Sequence, residues 1–248
     1  MYPTLFKIGS LYIYSRETFL LFAFIVGALI ARRRGLSVRI TQKIIIELII
    51  CIFFSSLVGA RLFYALFNLD WYVVHPKELF LRGGASFYGG LLLSLGVSFL
   101  YLYKRGFSFL LMGDIFAPSL AIGETIGRIG CFLGGCCYGK PTALPWGVTF
   151  PLSSFPYQHF GDIPLHPTQL YLAMANICIF LLLYRMKPGY EGKTFFSYLI
   201  LHSAFRFMIE FTNGSSPYIL FDLNIPQTIA IFIGMSGVIL FSRRVRNN

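Results

Sequence analysis

The 248-residue chain is 56% hydrophobic and 18% aromatic, has only 12% charged residues, and shows a mean hydropathy of +0.69. A soluble domain carries about a quarter charged residues, so this balance excludes one and points to an integral membrane protein. The formal net charge of +11 does not indicate nucleic acid, because the cations lie between apolar stretches and form no continuous basic face with interleaved aromatics. Membrane lipid headgroups are the fitting counter-charge.

A membrane span needs roughly 20 mainly apolar residues at about 1.5 Å each. Seven segments meet this, at 13–31, 44–67, 87–103, 107–126, 168–186, 194–211 and 225–242, so the expected fold is an all-α polytopic membrane protein in a single domain, 1–248, with an outward loop over about 127–167. The third segment opens on Gly89-Gly90 and the fourth contains Asp114 and Pro118, so kinked or re-entrant ends are expected there. The start reads as a retained span: Arg16 and Glu17 directly precede the apolar run, unlike the n-region and small-residue cleavage site of a removed signal. Pro141, Pro145, Trp146, Pro151, Pro156, Tyr157 and Pro164 give the outward loop the composition of an ordered cap or interfacial arm.

Charge predicts the orientation. Of 21 Lys and Arg, thirteen follow segments one, three, five and seven (Arg32, Arg33, Arg34, Arg39 and Lys43 among them), and six are spread over the longer segments on the other side. The positive-inside rule then puts the N-terminus outside and the C-terminus in the cytoplasm of a bacterial inner membrane.

An ionised side chain at mid-membrane costs at least about 2.5–3.5 kcal/mol on insertion scales, so Glu47, Arg61, Asp114, Glu124, Arg206 and Glu210 each need a reason. Arg206 and Glu210 share a helix face as an i, i+4 pair. Glu47 lies near the basic loop, where Arg39 or Lys43 would meet it. Arg61 is placed to snorkel or to meet a lipid phosphate, and Asp114 to cap its helix. Arg128 stands out within Gly127-Arg128-Ile129-Gly130-Cys131-Phe132-Leu133-Gly134-Gly135-Cys136-Cys137-Tyr138-Gly139-Lys140. Its glycine neighbours leave room for a bulky anion, and a guanidinium matches phosphate oxygens bidentately.

The five cysteines define neither a disulfide framework nor a four-ligand zinc site. Cys131, Cys136 and Cys137 are expected to be a structural disulfide or packed thiols, with no metal, since adjacent cysteines fit one tetrahedral ion poorly and no histidine lies at a suitable spacing. Cys51 and Cys178 read as core. His166 opens a span as a capping or hydrogen-bonding group, while His75, His159 and His202 offer no constellation.

Four motifs occur in order: Arg82-Gly83-Gly84-Ala85-Ser86-Phe87-Tyr88-Gly89-Gly90-Leu91, Gly127-Arg128-Ile129-Gly130, His166-Pro167-Thr168-Gln169-Leu170-Tyr171, and Phe205-Arg206-Phe207-Met208-Ile209-Glu210-Phe211. Together with Tyr14 and Asp114 they resemble the prolipoprotein diacylglyceryl transferase family over nearly the whole chain. The resemblance implies transfer of the diacylglyceryl group of phosphatidylglycerol to the lipobox cysteine of a prolipoprotein signal peptide, with release of glycerol 1-phosphate and no cofactor. It implies Arg128, Arg206 and Tyr88 as catalytic residues. Tyr14, Arg61, Gly89, Gly90, Gly127, Gly139, His166 and Glu210 would bind substrate.

The chain departs from the family pattern at several of these positions. Tyr88 stands where the family's best-known form has histidine, and a phenol is a poor proton acceptor at neutral pH. Cys131 and Cys136 replace an asparagine and a glutamate of the signature, and Asn213 replaces a further arginine. Alternatives are therefore a paralogue with another lipid or thiol acceptor, a non-catalytic lipid-binding or transport protein, and a thiol-redox or metal-handling protein built on the three cysteines.

Overall fold

The structure, a computed structural model, describes residues 3–9, 11–75, 77, 84–152, 154–187, 189–214, 218–220 and 223–246. Arg82 and Gly83, the opening of the first motif, fall outside these residues.

Each of the seven apolar segments is a helix: α1 Ser15–Ser37, α2 Gln42–Leu66, α4 Phe87–Arg105, α5 Phe109–Gly134, α7 Thr168–Arg185, α8 Lys193–Glu210 and α9 Ile225–Arg246. Among the described residues two short helices, α3 Leu69–Val74 and α6 Phe155–Phe160, lie in the connections. Five of the helices (α2, α4, α5, α7 and α9) are long and apolar enough to cross a membrane. The long elements are all helical, as expected; among the described residues the segments outside them also hold two short antiparallel pairs, β1 Thr4–Ile8 with β2 Leu11–Tyr14 and β3 Tyr218–Leu220 with β4 Leu223–Asn224. Gly9, at φ 62°, makes the first of these turns.

The chain divides into two compact units, residues 1–31 with 113–248, and residues 32–112. In the second unit α2 and α4 run antiparallel across a seam of small residues. A Cβ at Gly89 would stand 2.2 Å from Cβ of Phe63 and 2.4 Å from the Gly59 carbonyl oxygen, so the helices approach as closely as only glycine allows. Ser86 caps α4 by accepting from Gly89 N at 3.3 Å, and its own N–H donates to Ala60 O at 2.9 Å. At the other end of the seam Glu47 accepts from Tyr101 and Arg105 as well as pairing with Lys43, so more partners meet it than the basic loop supplies.

In the first unit α1 lies antiparallel along α5, with Phe19 over Gly130 and Ala23 over Gly123. α5, α7 and α8 enclose a core of Ala117, Ala121, Ile179, Leu183 and Tyr198. Asp114 caps a helix other than its own: its carboxylate accepts from Gly192 N (2.7 Å) and Phe195 N (2.8 Å), the N-terminal turn of α8. The 139–167 loop is ordered by a small core of Tyr138, Phe150 and Leu165 and by paired bonds between Val148 and Leu165.

Candidate functional site

The site is built on two helix faces of the first unit. α5 carries Glu124 and Arg128 four residues apart, and the guanidinium folds back one turn, with Nη2 2.9 Å and Nε 3.2 Å from Glu124 Oε1. α8 carries His202, Arg206 and Glu210 at the same spacing. Glu124 Oε2 lies 3.3 Å from His202 Nδ1, so one carboxylate joins the two helices. Arg206 Nη2 pairs with Glu210 Oε2 at 3.1 Å, the i, i+4 contact expected from the sequence.

Glu210 is 1% exposed and fully engaged. Its Oε1 accepts from the side-chain amides of Asn213 and Asn224. Asn224 in turn opens α9 through a reciprocal cap, with its Oδ1 accepting from Gln227 N at 2.9 Å and its N–H donating to Gln227 Oε1 at 3.1 Å. Arg206 therefore has a fixed counter-charge on one side. Its Nη1 is buried and has no hydrogen-bond partner among the described residues, although it lies in the field of Arg128 and Glu124. A buried donor left unpaired costs about 1–3 kcal/mol, more when charged, and an incoming anionic oxygen would remove that cost.

The three signature cysteines border this cluster. α5 ends in a Schellman turn: Gly135 is at φ 72°, Cys136 N donates to Cys131 O at 3.1 Å, and Gly135 N donates to Phe132 O at 3.3 Å. Such a turn sets the residues at the positions of Cys131 and Cys136 against each other. Cys137 also has a positive φ, 59°. All three Sγ atoms lie within 4.8 Å of one another, and every cysteine is a free thiol. Thr168 Oγ1 and Gln169 Nε2 each hold a carbonyl of the turn, those of Cys137 and Cys136, at 2.7 Å. Hydrogen bonds from Cys131 and Cys136 hold the Cys137 thiol well below the usual thiol range, and the charges of Arg128 and Arg206 add to this. Hydrogen bonds with Cys131 and Cys137 push the Cys136 thiol up.

The other sequence candidates are distributed unevenly. Gly127 lies on α5 beside Arg128, facing Leu20. The helix runs on to Gly134, so the first half of the signature is helical, where the sequence predicts an outward loop from about 127. Gly139 lies where three backbone segments cross: its N–H donates to His166 O at 3.0 Å, and a Cβ there would stand 2.5 Å from His166 and 2.7 Å from Thr212 O. The His166 ring meets the Tyr171 hydroxyl at 3.2 Å. Tyr14 ends β2, half exposed and stacked on Tyr12. In the second unit, Arg61 donates to Gly84 O at 2.7 Å, Tyr88 packs edge-on to Phe87, and Gly89 and Gly90 are buried in the helix seam.

Sequence reasoning missed His202, which it set aside as having no constellation, and left Glu124 out of the site. The available signal was the i, i+4, i+8 series His202, Arg206, Glu210. Cys178, expected in the core, is exposed on α7.

A family model described as prolipoprotein diacylglyceryl transferase matches residues 3–243. The chain belongs to the prolipoprotein diacylglyceryl transferase family. Curated relatives named phosphatidylglycerol–prolipoprotein diacylglyceryl transferase include that of Clostridium tetani, 31% identical over 98% of this chain and 97% of the relative. That of Bordetella parapertussis is 34% identical over 98% of this chain and 95% of the relative. The Geobacter sulfurreducens protein is 35% identical over 84% and 81%. Membership therefore rests on nearly the full length of the chain, cysteine-rich signature included.

Proposed function

We propose that this protein transfers the diacylglyceryl group of phosphatidylglycerol to the lipobox cysteine of a prolipoprotein and releases glycerol 1-phosphate. The observation that carries the reading is the buried Nη1 of Arg206, without a hydrogen-bond partner among the described residues and in the field of Arg128. The relatives' printed names supply the substrates.

Arg128 and Arg206 hold the phosphate. As the glyceryl C–O bond breaks, charge gathers on the departing phosphate oxygen, and fixed donors in a dry site stabilise it without reorganising. Glu124 and Glu210 orient the two guanidiniums. Tyr14, Gly127 and His166, all in the first unit, contribute to the headgroup and peptide site. The attacking species is the acceptor's thiolate. An apolar groove of about 530 Å³ between α8 and α9, bordered by Ile200, Phe207, Met208 and Val238, suits lipid chains. The host is the bacterial inner membrane, crossed seven times, with the N-terminus outside.

Membranes holding the protein, phosphatidylglycerol and a lipobox peptide should yield a thioether-linked diacylglyceryl product by mass spectrometry. Arg128→Ala and Arg206→Ala should each lower turnover by about 10²–10³-fold, the loss seen when one charge-stabilising donor is removed, while both proteins still insert. Wild-type turnover in both variants would overturn the phosphate assignment. Asn213, bonded to Glu210 where a cation would be expected from the resemblance, favours a second reading, a lipid-binding protein without chemistry. Rescue of a strain depleted of its own transferase would eliminate that reading.

A further inference from the structure

We propose that Cys131, Cys136 and Cys137 form a zinc site whose fourth position accepts the substrate thiol. The sequence argued against a shared ion because two of the cysteines are adjacent. The fold removes that objection, since the Schellman turn brings Cys131 to Cys136 and the left-handed Cys137 turns the third sulfur toward them. Zn–S bonds are about 2.3 Å, so sulfurs sharing a tetrahedral ion stand about 3.8 Å apart. Three Sγ atoms all within 4.8 Å need only small side-chain adjustments to reach that spacing.

The ligand set selects the metal. The group contains thiols alone, with no histidine or carboxylate, which favours a borderline-soft ion over magnesium or calcium. A structural zinc site is closed by four protein ligands, whereas three ligands leave the open position that characterises reactive zinc. The frame is rigid, because Thr168 and Gln169, both buried at the start of α7, hold the carbonyls of Cys137 and Cys136. All three cysteines are only part-buried, which leaves access for a ligand. Three thiolates around Zn²⁺ carry a net charge of −1, and Arg128, one turn before Cys131 on α5, supplies a neighbouring positive charge.

The role of the fourth position rests on the transferase reading. The acceptor's S–H coordinates and its proton passes to water, since a thiol bound to zinc is deprotonated outright. The zinc-held sulfur then attacks the glyceryl carbon. A C–S bond forms, the C–O bond to phosphate breaks, and the electron pair leaves on the phosphate oxygen beside Arg128 and Arg206. The glycerol phosphate anion departs and the thioether, a weaker ligand than a thiolate, dissociates from the metal. No oxidant or reductant is involved.

Reduced full-length protein in detergent, loaded with Co²⁺ as a spectroscopic substitute for Zn²⁺, tests both parts. Stoichiometric uptake with a thiolate-to-cobalt charge-transfer band is expected. The ligand-field bands should shift on adding a lipobox peptide and stay unchanged with the same peptide carrying serine for cysteine. Cys136→Ser and Cys137→Ser should each weaken metal binding about tenfold or more. In case these variants fold poorly, reversible thiol blocking of the wild-type chain should abolish binding and unblocking restore it. Absence of stoichiometric metal in the wild type, or binding that survives blocking, overturns the site. Full lipidation by chelator-treated, metal-free protein overturns its catalytic role and leaves the transferase standing. Cobalt binding with the cysteine-specific shift but no lipidation with or without zinc removes the transferase reading and leaves the site.

Discussion

The balance at Glu210 decides whether Arg206 can wait for an anion. At 1% exposure, Glu210 is the buried counter-charge of a guanidinium that is itself 18% exposed. Removing one partner of such a pair typically costs about 3–5 kcal/mol, because the remaining charge stays in place without compensation. Glu210→Gln should therefore lower the unfolding midpoint of the detergent-solubilised protein and reduce turnover together. The comparison is Glu47→Gln in the second unit, whose partners Arg105 and Lys43 are largely exposed, where the ion-pair loss should be about 0–1 kcal/mol. Equal shifts in the two variants would refute the asymmetry. Arg128, Arg206 and Glu210 were legible in the sequence because each is a charge in an apolar run and each sits in a motif. Their junction was not, since Glu124 and His202 meet from helices more than seventy residues apart and no local spacing reports that. The cysteine cluster lay between these cases. A search for C-x-x-C pairs passes over it, yet Cys131-x4-Cys136 with Gly135 at the turn is a local pattern with a known geometry.

At the scale of elements, hydropathy located all seven long helices because each contains an extended apolar run. Their ends were less visible. α5 continues through Gly130 to Gly134, residues of low helix propensity, because α1 packs against that side: a Cβ at Gly130 would stand 2.6 Å from Phe19, so glycine is what allows the approach. The β1–β2 pair was hidden because Leu11–Tyr14 merges into the apolar run of α1, and only Gly9 marks the turn. The α2–α4 seam provides a direct test of packing. Gly89→Ala puts a methyl group 2.2 Å from Phe63 and 2.4 Å from Gly59 O, an overpacking that should cost about 1–3 kcal/mol. Gly96→Ala, on the same helix with nothing within 4 Å of its Cβ, should be neutral or stabilise by about 0.5–1 kcal/mol, as expected for glycine in a helix interior. Unfolding midpoints of the two variants in one detergent give the comparison, and loss of stability at Gly96 with none at Gly89 would contradict the seam.

For the whole molecule, the chemistry and the topology compete on one helix. α8 is not among the helices apolar enough to cross a membrane by composition, and it carries His202, Arg206 and Glu210, the polar face that joins α5 and α9 through Glu124 and Asn224. A polar face turned into the protein lowers mean hydropathy without exposing charge to lipid, so the site itself accounts for the shortfall. α1 is likewise outside that set, with Glu17 in its first turn and Arg32, Arg33 and Arg34 near its end. Counting both helices as spans gives seven crossings and opposite sides for the two termini; counting only one gives six and the same side. Charge favours seven: the clusters after α1 and at the end of α9 both follow odd-numbered crossings, and basic residues near an anionic leaflet contribute about 1 kcal/mol each. A protease-sensitive tag at the N-terminus should be cleaved in intact spheroplasts, and one at the C-terminus only after lysis. Replacing Arg32, Arg33 and Arg34 with alanine should weaken this bias and produce a mixed population. Cleavage of the C-terminal tag in intact spheroplasts would rule out the seven-span arrangement, and the cysteine cluster would then need to be reassigned to a compartment from the new crossing count.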